Sequence, residues 1–237
     1  MSSAYTYEGS ELELFSKAHN WKTYWSSFLH SYLGEDVLDV GAGIGATAAV
    51  LCGNAQKSWT ALEPDKNLAT GLLERQRAQS VPASCTVRVG TISDLGASEL
   101  FDSVLYIDVL EHIGDDHKEF NSAAQHLKPD GHLIVLAPAH QFLFSPFDKS
   151  VGHYRRYDIR SMAALHADGL KPIKLHYLDA MGMIASSANR FLLRSGMPTA
   201  SQIAIWDRLM VPTSRIIDPL LGYRLGKSIL GIWQKHL

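Results

Sequence analysis

Residues 41–46 read Gly41-Ala42-Gly43-Ile44-Gly45-Ala46 and follow the apolar run Val37-Leu38-Asp39-Val40. Glycines between a buried strand and a helix leave bare backbone at the end of a sheet, where a Cβ would block both the turn and an approaching ligand. Asp39, two residues before Gly41, is placed to orient that loop. Glu63 ends the next apolar run, 22 residues after Gly41, and a carboxylate there can accept both hydroxyls of a ribose. The spacing also satisfies GxGxxA, the dinucleotide fingerprint, so these residues indicate a nucleoside without saying which.

A second set of residues could move protons. The chain holds 11 histidines. His112 follows the run Asp108-Val109-Leu110-Glu111, at the end of what reads as another strand. It either faces a bound substrate or starts a helix and bonds to backbone. His140 and His153 flank the stretch 139–157 and could act as bases or serve in packing. That stretch ends in His153-Tyr154-Arg155-Arg156-Tyr157, the most unusual segment of the chain. Two arginines among tyrosines suit a carboxylate, phosphate or pyrophosphate. The same arginines could instead latch the loop internally on Asp148 or Asp158. A metal is not expected: His112, Asp115, Asp116 and His117 have suitable side chains, but a helix starting near Asp115 spreads them over different faces. Acids in a first helical turn are more simply partners of its dipole.

The elements that must carry these residues alternate in type. Strands are expected at 37–40, 58–63, 86–89, 101–107, 132–137 and 171–178, with a final one at 228–233. Helices are expected after the glycine loop, over 65–79 with Asp65 as N-cap, over 115–127 and over 158–168. The run Lys128-Pro129-Asp130-Gly131 should stop the third of these. Alternation at this spacing means a parallel α/β sheet covered on both faces. Residues 1–34 are expected to be helical, with an apolar face of Trp21, Tyr24 or Trp25, and Phe28 that either packs on the main domain or makes the segment an N-terminal helical lid over a ligand. Residues 35–237 form the main domain, with a long functional loop at about 139–157 and a helical insertion at about 180–222, broken at Pro198, Pro212 and Pro219.

Composition narrows the classes. The chain has 237 residues, 46% of them hydrophobic, 19% charged, with a formal charge of -2, so it is neither disordered nor a strongly basic nucleic-acid binder. The two cysteines, Cys52 and Cys85, suggest buried thiols in a reducing compartment. No uninterrupted apolar run is long enough for a membrane span, and the N-terminus lacks a signal-peptide pattern. The expectation is a cytoplasmic protein, with homodimerisation through the 180–222 helices left open.

Taken together, three blocks resemble one known family. Val37 to Gly45 looks like the first motif of class I S-adenosylmethionine-dependent methyltransferases. Phe101-Asp102-Ser103-Val104 through Asp108-Val109-Leu110-Glu111-His112 resembles their fourth motif. Leu127-Lys128-Pro129-Asp130-Gly131-His132-Leu133 resembles their fifth-strand approach, with Asp130 in place of a glycine. The segment at 152–157 also resembles the GH-x-RRY stretch of a subgroup associated with glycan or secondary-metabolite pathways. The resemblance implies a Rossmann-like, doubly wound seven-stranded sheet whose last strand is antiparallel, and S-adenosyl-L-methionine as cofactor. It places Gly41, Ala42, Gly43 and Gly45 behind the methionine portion, Glu63 on the ribose and Pro64 beside the adenine. Thr91 and Ile92 would border the adenine's other side, and Ile107, Asp108 and Val109 the sulfonium. Many relatives carry an Asp where Thr91 stands, and Asp94 could substitute for it. The acceptor would be a small molecule or carrier-linked intermediate methylated on oxygen or nitrogen, with Tyr154, Arg155, Arg156 and Tyr157 holding an anionic group if present. A base, where required, would be His112, His153 or His140. Two other readings share the glycine loop and Glu63: an NAD(P)-dependent reductase, and a non-catalytic nucleoside-binding protein of the same fold.

Overall fold

The computed structural model describes Tyr7, Gly9, residues 11–188 and residues 197–236. Its centre is a seven-stranded sheet: β1 (Asp36–Val40), β2 (Ser58–Glu63), β3 (Cys85–Val89), β4 (Phe101–Ile107), β5 (Leu127–Pro138), β6 (Leu170–Leu178) and β7 (Ser228–Lys235), in the order β3-β2-β1-β4-β5-β7-β6. The pairs among β1 to β5 are parallel, and β7 runs antiparallel between β5 and β6. The apolar runs read from the sequence are continuous because both faces are covered.

Among the described residues, ten α-helices surround the sheet: α1 (Leu12–Ser16), α2 (His19–Ser26), α3 (Ala48–Leu51), α4 (Lys66–Arg77), α5 (Asp116–Gln125), α6 (Pro146–Ser150), α7 (Ile159–Ala164), α8 (Ala180–Ala188), α9 (Ala200–Ile205) and α10 (Val211–Leu220). Trp21 and Trp25 of α2, together with Trp206 and Val211, pack on the face carrying Val37, Trp59, Ala61 and Leu105. Phe120 and Ala123 of α5 and Met162 of α7 cover the face carrying Leu38, Val40, Val104 and Tyr106. Successive strand residues point to opposite faces, which is why odd and even positions of β1 belong to different layers.

Side-chain caps set two helix starts, that of Asp65 as expected. Asp65 accepts from the backbone of Asn67 and Leu68, and Asp115 from that of Lys118. Three local features differ from the sequence reading. Lys128 to Gly131 does not end a helix by a free turn; it lies within β5, where the register slips between Phe101 and Ser103 and Asp130 takes φ 62°. The stretch 139–157 is not bare loop, since it contains a 3₁₀ turn at Gln141–Leu143 and α6. The N-terminal region divides in two. Asp207 accepts from the backbone N–H groups of Asn20 and Trp21, and Asp218 accepts from the Tyr24 hydroxyl at 2.7 Å. These bonds lock α2 into the core, which leaves Tyr7 and α1 as the described part of this region beside the cavity described below.

Between β6 and β7 the described residues 200–220 also depart from the sequence reading: they form one continuous helical run, with a π turn at Trp206–Met210, Pro212 in the first turn of α10 and Pro219 inside it, so neither proline breaks the helix. No described helix is long and apolar enough to cross a membrane.

Candidate functional site

Chain order reverses between β1 and β4, so their C-terminal ends open a crevice at the point where α/β sheets bind ligands. A cavity of about 240 Å³ occupies it. Val40, Gly41 and Gly43 form one wall, Glu63, Pro64 and Leu68 a second, Gly90 and Thr91 a third, and Asp108, Val109, His112 and Ile113 the far end. Tyr7 and Leu12 cover it.

The glycine loop has the backbone that its residues foretell. Gly41 has φ 66°, and a Cβ there would sit 2.7 Å from two Val109 methyl carbons. Gly43 has φ 55°, but a Cβ there would meet nothing nearer than Leu12 Cδ1 at 3.8 Å. Its bare backbone therefore borders the cavity itself. Gly45 serves packing, since its Cβ would press on Leu72 and Val81.

Glu63 is buried. Its carboxylate accepts the Gly43 N–H at 2.7 Å and the Asp65 N–H at 2.9 Å, which ties β2 to the glycine loop and fixes the acid at the cavity wall. Burial raises its pKa against the pull of those two bonds. Asp39 lies behind the loop in the core, 1% exposed, and burial pushes its carboxyl up to about 8. Thr91 reaches the cavity, whereas Asp94 is spent locally: it accepts from the Thr91 N–H and hydroxyl as the cap of a short 3₁₀ turn. Ile92 is core, and Ala42 and Ile107 are not among the cavity's lining residues.

At the far end, Asp108 takes φ 54° and opens onto the cavity. Glu111 is fully buried, with no hydrogen-bond partner for either oxygen among the described residues. Burial and the Asp108 charge raise its pKa. His112 packs edge-on against Tyr7 at 5.6 Å and against His153 at 4.5 Å. Burial and the His153 charge lower its pKa to about 3, so its imidazole is neutral at pH 7.

The loop after β5 brings His153 to this end. Asp148, fully buried in α6, accepts from His153 Nδ1 at 3.0 Å, from Arg156 Nε at 2.8 Å and Nη2 at 3.0 Å, and from the Ser145 backbone and hydroxyl. Burial alone would raise its pKa, but the bonds from His153 and Arg156 outweigh burial and hold it well below the usual carboxylate range. Arg155 pairs with Asp116 and donates to the Gly114 carbonyl, and the Tyr157 hydroxyl donates to Asp116 at 2.7 Å. Both guanidiniums are thus internal latches, Arg156 on Asp148 as one reading held and Arg155 on Asp116 instead of Asp158. Tyr154 is 63% exposed, beside Gly114. His140 lies apart, stacked on Tyr177 at 4.6 Å.

Residues 18–176 match the family model described as a methyltransferase domain. The chain belongs to that family. Within this methyltransferase-family chain the nicotinamide reading loses its support. A curated relative, the ubiquinone biosynthesis O-methyltransferase of Alkalilimnicola ehrlichii, is 30% identical over 103 residues, covering 43% of this chain and 40% of the relative. The match therefore spans less than half of that relative's length. Among solved structures, the [4+2]-cyclase SpnF aligns with 100% of this chain and 88% of its own, at 14% identity and a TM-score of 0.65. Coclaurine N-methyltransferase bound to N-methylheliamine and SAH aligns with 92% of this chain and 72% of its own, at 14% identity and a TM-score of 0.62. Likenesses at this identity establish the fold alone.

Of the residues singled out in the sequence, Gly41, Gly43, Glu63, Pro64, Thr91, Asp108, Val109 and His112 meet at the cavity. Sequence reasoning missed Tyr7, Leu12, Leu68, Gly90, Ile113 and Glu119 there. Gly90, directly before Thr91 and at φ 150°, could have been found as the turn after β3. Tyr7 and Leu12 carry no local signal.

Proposed function

We propose that the protein transfers the methyl group of S-adenosylmethionine to an oxygen of a small-molecule or carrier-linked acceptor. The observation that carries this reading is the single cavity running from the Glu63 carboxylate, past the bare backbone of Gly43, to Asp108 and His112. The cofactor, when bound, supplies an activated methyl group. The residues fit it: Glu63 is held with lone pairs for ribose hydroxyls, and Gly43 leaves open the space that any side chain would occupy. Pro64, Gly90 and Thr91 offer the adenine wall, and Tyr7 and Leu12 exclude water from above. His112 lines the far end of the cavity and stays neutral at neutral pH, so it can orient an acceptor hydroxyl there but is too weakly basic to hold its proton. Oxygen is preferred over nitrogen because the curated relative is named as an O-methyltransferase. An anionic acceptor group is not part of the reading, since Arg155 and Arg156 are paired with Asp116 and Asp148.

Calorimetric titration of the purified protein with S-adenosylmethionine, S-adenosylhomocysteine and NADH tests the cofactor half. Micromolar binding of both sulfur nucleosides and none of NADH is expected; NADH binding alone would overturn it. Mass-spectrometric detection of a 14-Da gain on hydroxylated acceptors tests the transfer itself.

A further inference from the structure

We propose that Glu111, His112 and His153 form a binding site for one divalent first-row transition cation at the acceptor end of the cavity. One potential ligand atom from each lies within 4.8 Å of the other two. Glu111 Oε1 and His153 Nε2 are 3.9 Å apart, too far for a hydrogen bond. A cation with ligand bonds of about 2.1 Å holds opposed ligand atoms at most about 4.2 Å apart. Closing this set therefore needs only a modest inward shift.

The donors are prepared for coordination. Asp148 accepts two bonds from Arg156 and is ionised, so the His153 nitrogen facing it must carry the proton. That bond turns the other ring nitrogen, Nε2, toward Glu111. A ligating histidine oriented by a carboxylate is the usual outer arrangement of metal sites. His112 donates one ring nitrogen to the Val151 carbonyl, which leaves its second nitrogen as an acceptor.

Charge points the same way. Glu111 is 0% exposed and neither oxygen has a partner among the described residues. Asp108, a second carboxylate, opens onto the cavity in the same corner. Asp148 and Arg156 cancel one another, and Asp108 is answered by His153 and by Lys227, which Asp179 shares. A buried carboxylate without a partner is costly unless it binds a proton or a cation. Two imidazoles with a carboxylate favour iron, cobalt or zinc over magnesium or calcium. The cluster differs from the His112, Asp115, Asp116 and His117 run considered in the sequence. Asp115 caps α5 and Asp116 is held by Arg155 and Tyr157.

His112 belongs both to this cluster and to the cavity lining, so an ion here would present its open positions to the acceptor. The ligand would be a hydroxyl oxygen, and that part rests on the methyl-transfer reading. The cation site itself does not.

Chelator-treated full-length protein is titrated with CoCl₂, following visible absorption and heat. One Co²⁺ per chain with a bound-imidazole spectrum is expected, with affinity at least about tenfold weaker in Glu111→Gln, His112→Asn and His153→Asn, while His117→Ala binds as the parent. No binding up to millimolar Co²⁺, or binding that survives all three substitutions, overturns the proposal. Glu111→Gln removes an unpaired buried charge and should fold; if it does not, the two histidine variants decide. Titration of the metal-free protein with S-adenosylhomocysteine separates the two readings. Cobalt bound without the nucleoside upholds the site and sinks methyl transfer, and the nucleoside bound without cobalt does the reverse.

Discussion

Gly43→Val separates folding from ligand binding more cleanly than any other change in the glycine loop. Gly43 has φ 55°, so any L residue there bears the left-handed penalty of roughly 1–2 kcal/mol. Its Cβ would meet only Leu12 Cδ1 at 3.8 Å and the Gly41 carbonyl at 3.9 Å, so steric cost adds little. A domain stable by roughly 5–15 kcal/mol tolerates this and should melt about 2–8 °C lower. The two added methyls project into the space assigned to the cofactor. S-adenosylhomocysteine affinity should fall at least about 100-fold, equivalent to about 2.7 kcal/mol. Gly41→Ala is the contrast, because its Cβ would lie 2.7 Å from both Val109 methyls, a collision that strains folding itself by roughly 1–3 kcal/mol beyond the backbone penalty. Thermal melts and calorimetry on both variants make the test. A folded Gly43→Val protein that binds S-adenosylhomocysteine like the parent would refute the assignment of this loop.

Three further outcomes are expected. Arg156→Ala leaves the fully buried Asp148 without its bidentate partner, and urea unfolding should show a loss of about 3–5 kcal/mol; an unchanged midpoint would mean the arginine is free for an acceptor after all. Asp39 has a folded pKa near 8, above its unfolded value, so between those two values the folded state holds the extra proton and stability falls as pH rises. From pH 7 to 8, above the range where the buried histidines oppose this, the parent should lose up to about 1.4 kcal/mol per pH unit, and Asp39→Asn should lose that dependence; parallel curves would contradict the buried protonated acid. Deleting residues 1–16 removes Tyr7 and Leu12 from the cavity but no buried residue of α1. Melting should stay within about 5 °C while nucleoside affinity drops about tenfold or more, and equal affinity would show that this segment is no cover.

The residues legible in sequence are those whose role is local. A strand, a glycine turn and an acid ending the next strand lie within 41–63, and their geometry follows from backbone sterics and the twist of a parallel sheet. That is why Gly41, Gly43 and Glu63 stand out without coordinates, whereas Pro64 and the antiparallel β7 were expected only from the resemblance to class I methyltransferases. The boundaries that slipped did so where tertiary contacts override local signals. Lys128-Pro129-Asp130-Gly131 reads as a stop, yet the bulge against β4 absorbs it into β5.

The far end of the cavity was decided only by the tertiary structure. The roles of Arg155 and Arg156 turn on which carboxylates come within reach, and Asp116 and Asp148 approach them from α5 and α6. Glu111, His112 and His153 meet because the chain after β5 folds back over the end of β4, with Tyr154 N–H bonding to the Glu111 carbonyl at 2.8 Å. Spacing along a chain determines periodicity and turns. It does not determine which distant side chains share a buried corner, because that depends on how the layers pack and on which charges must be neutralised there.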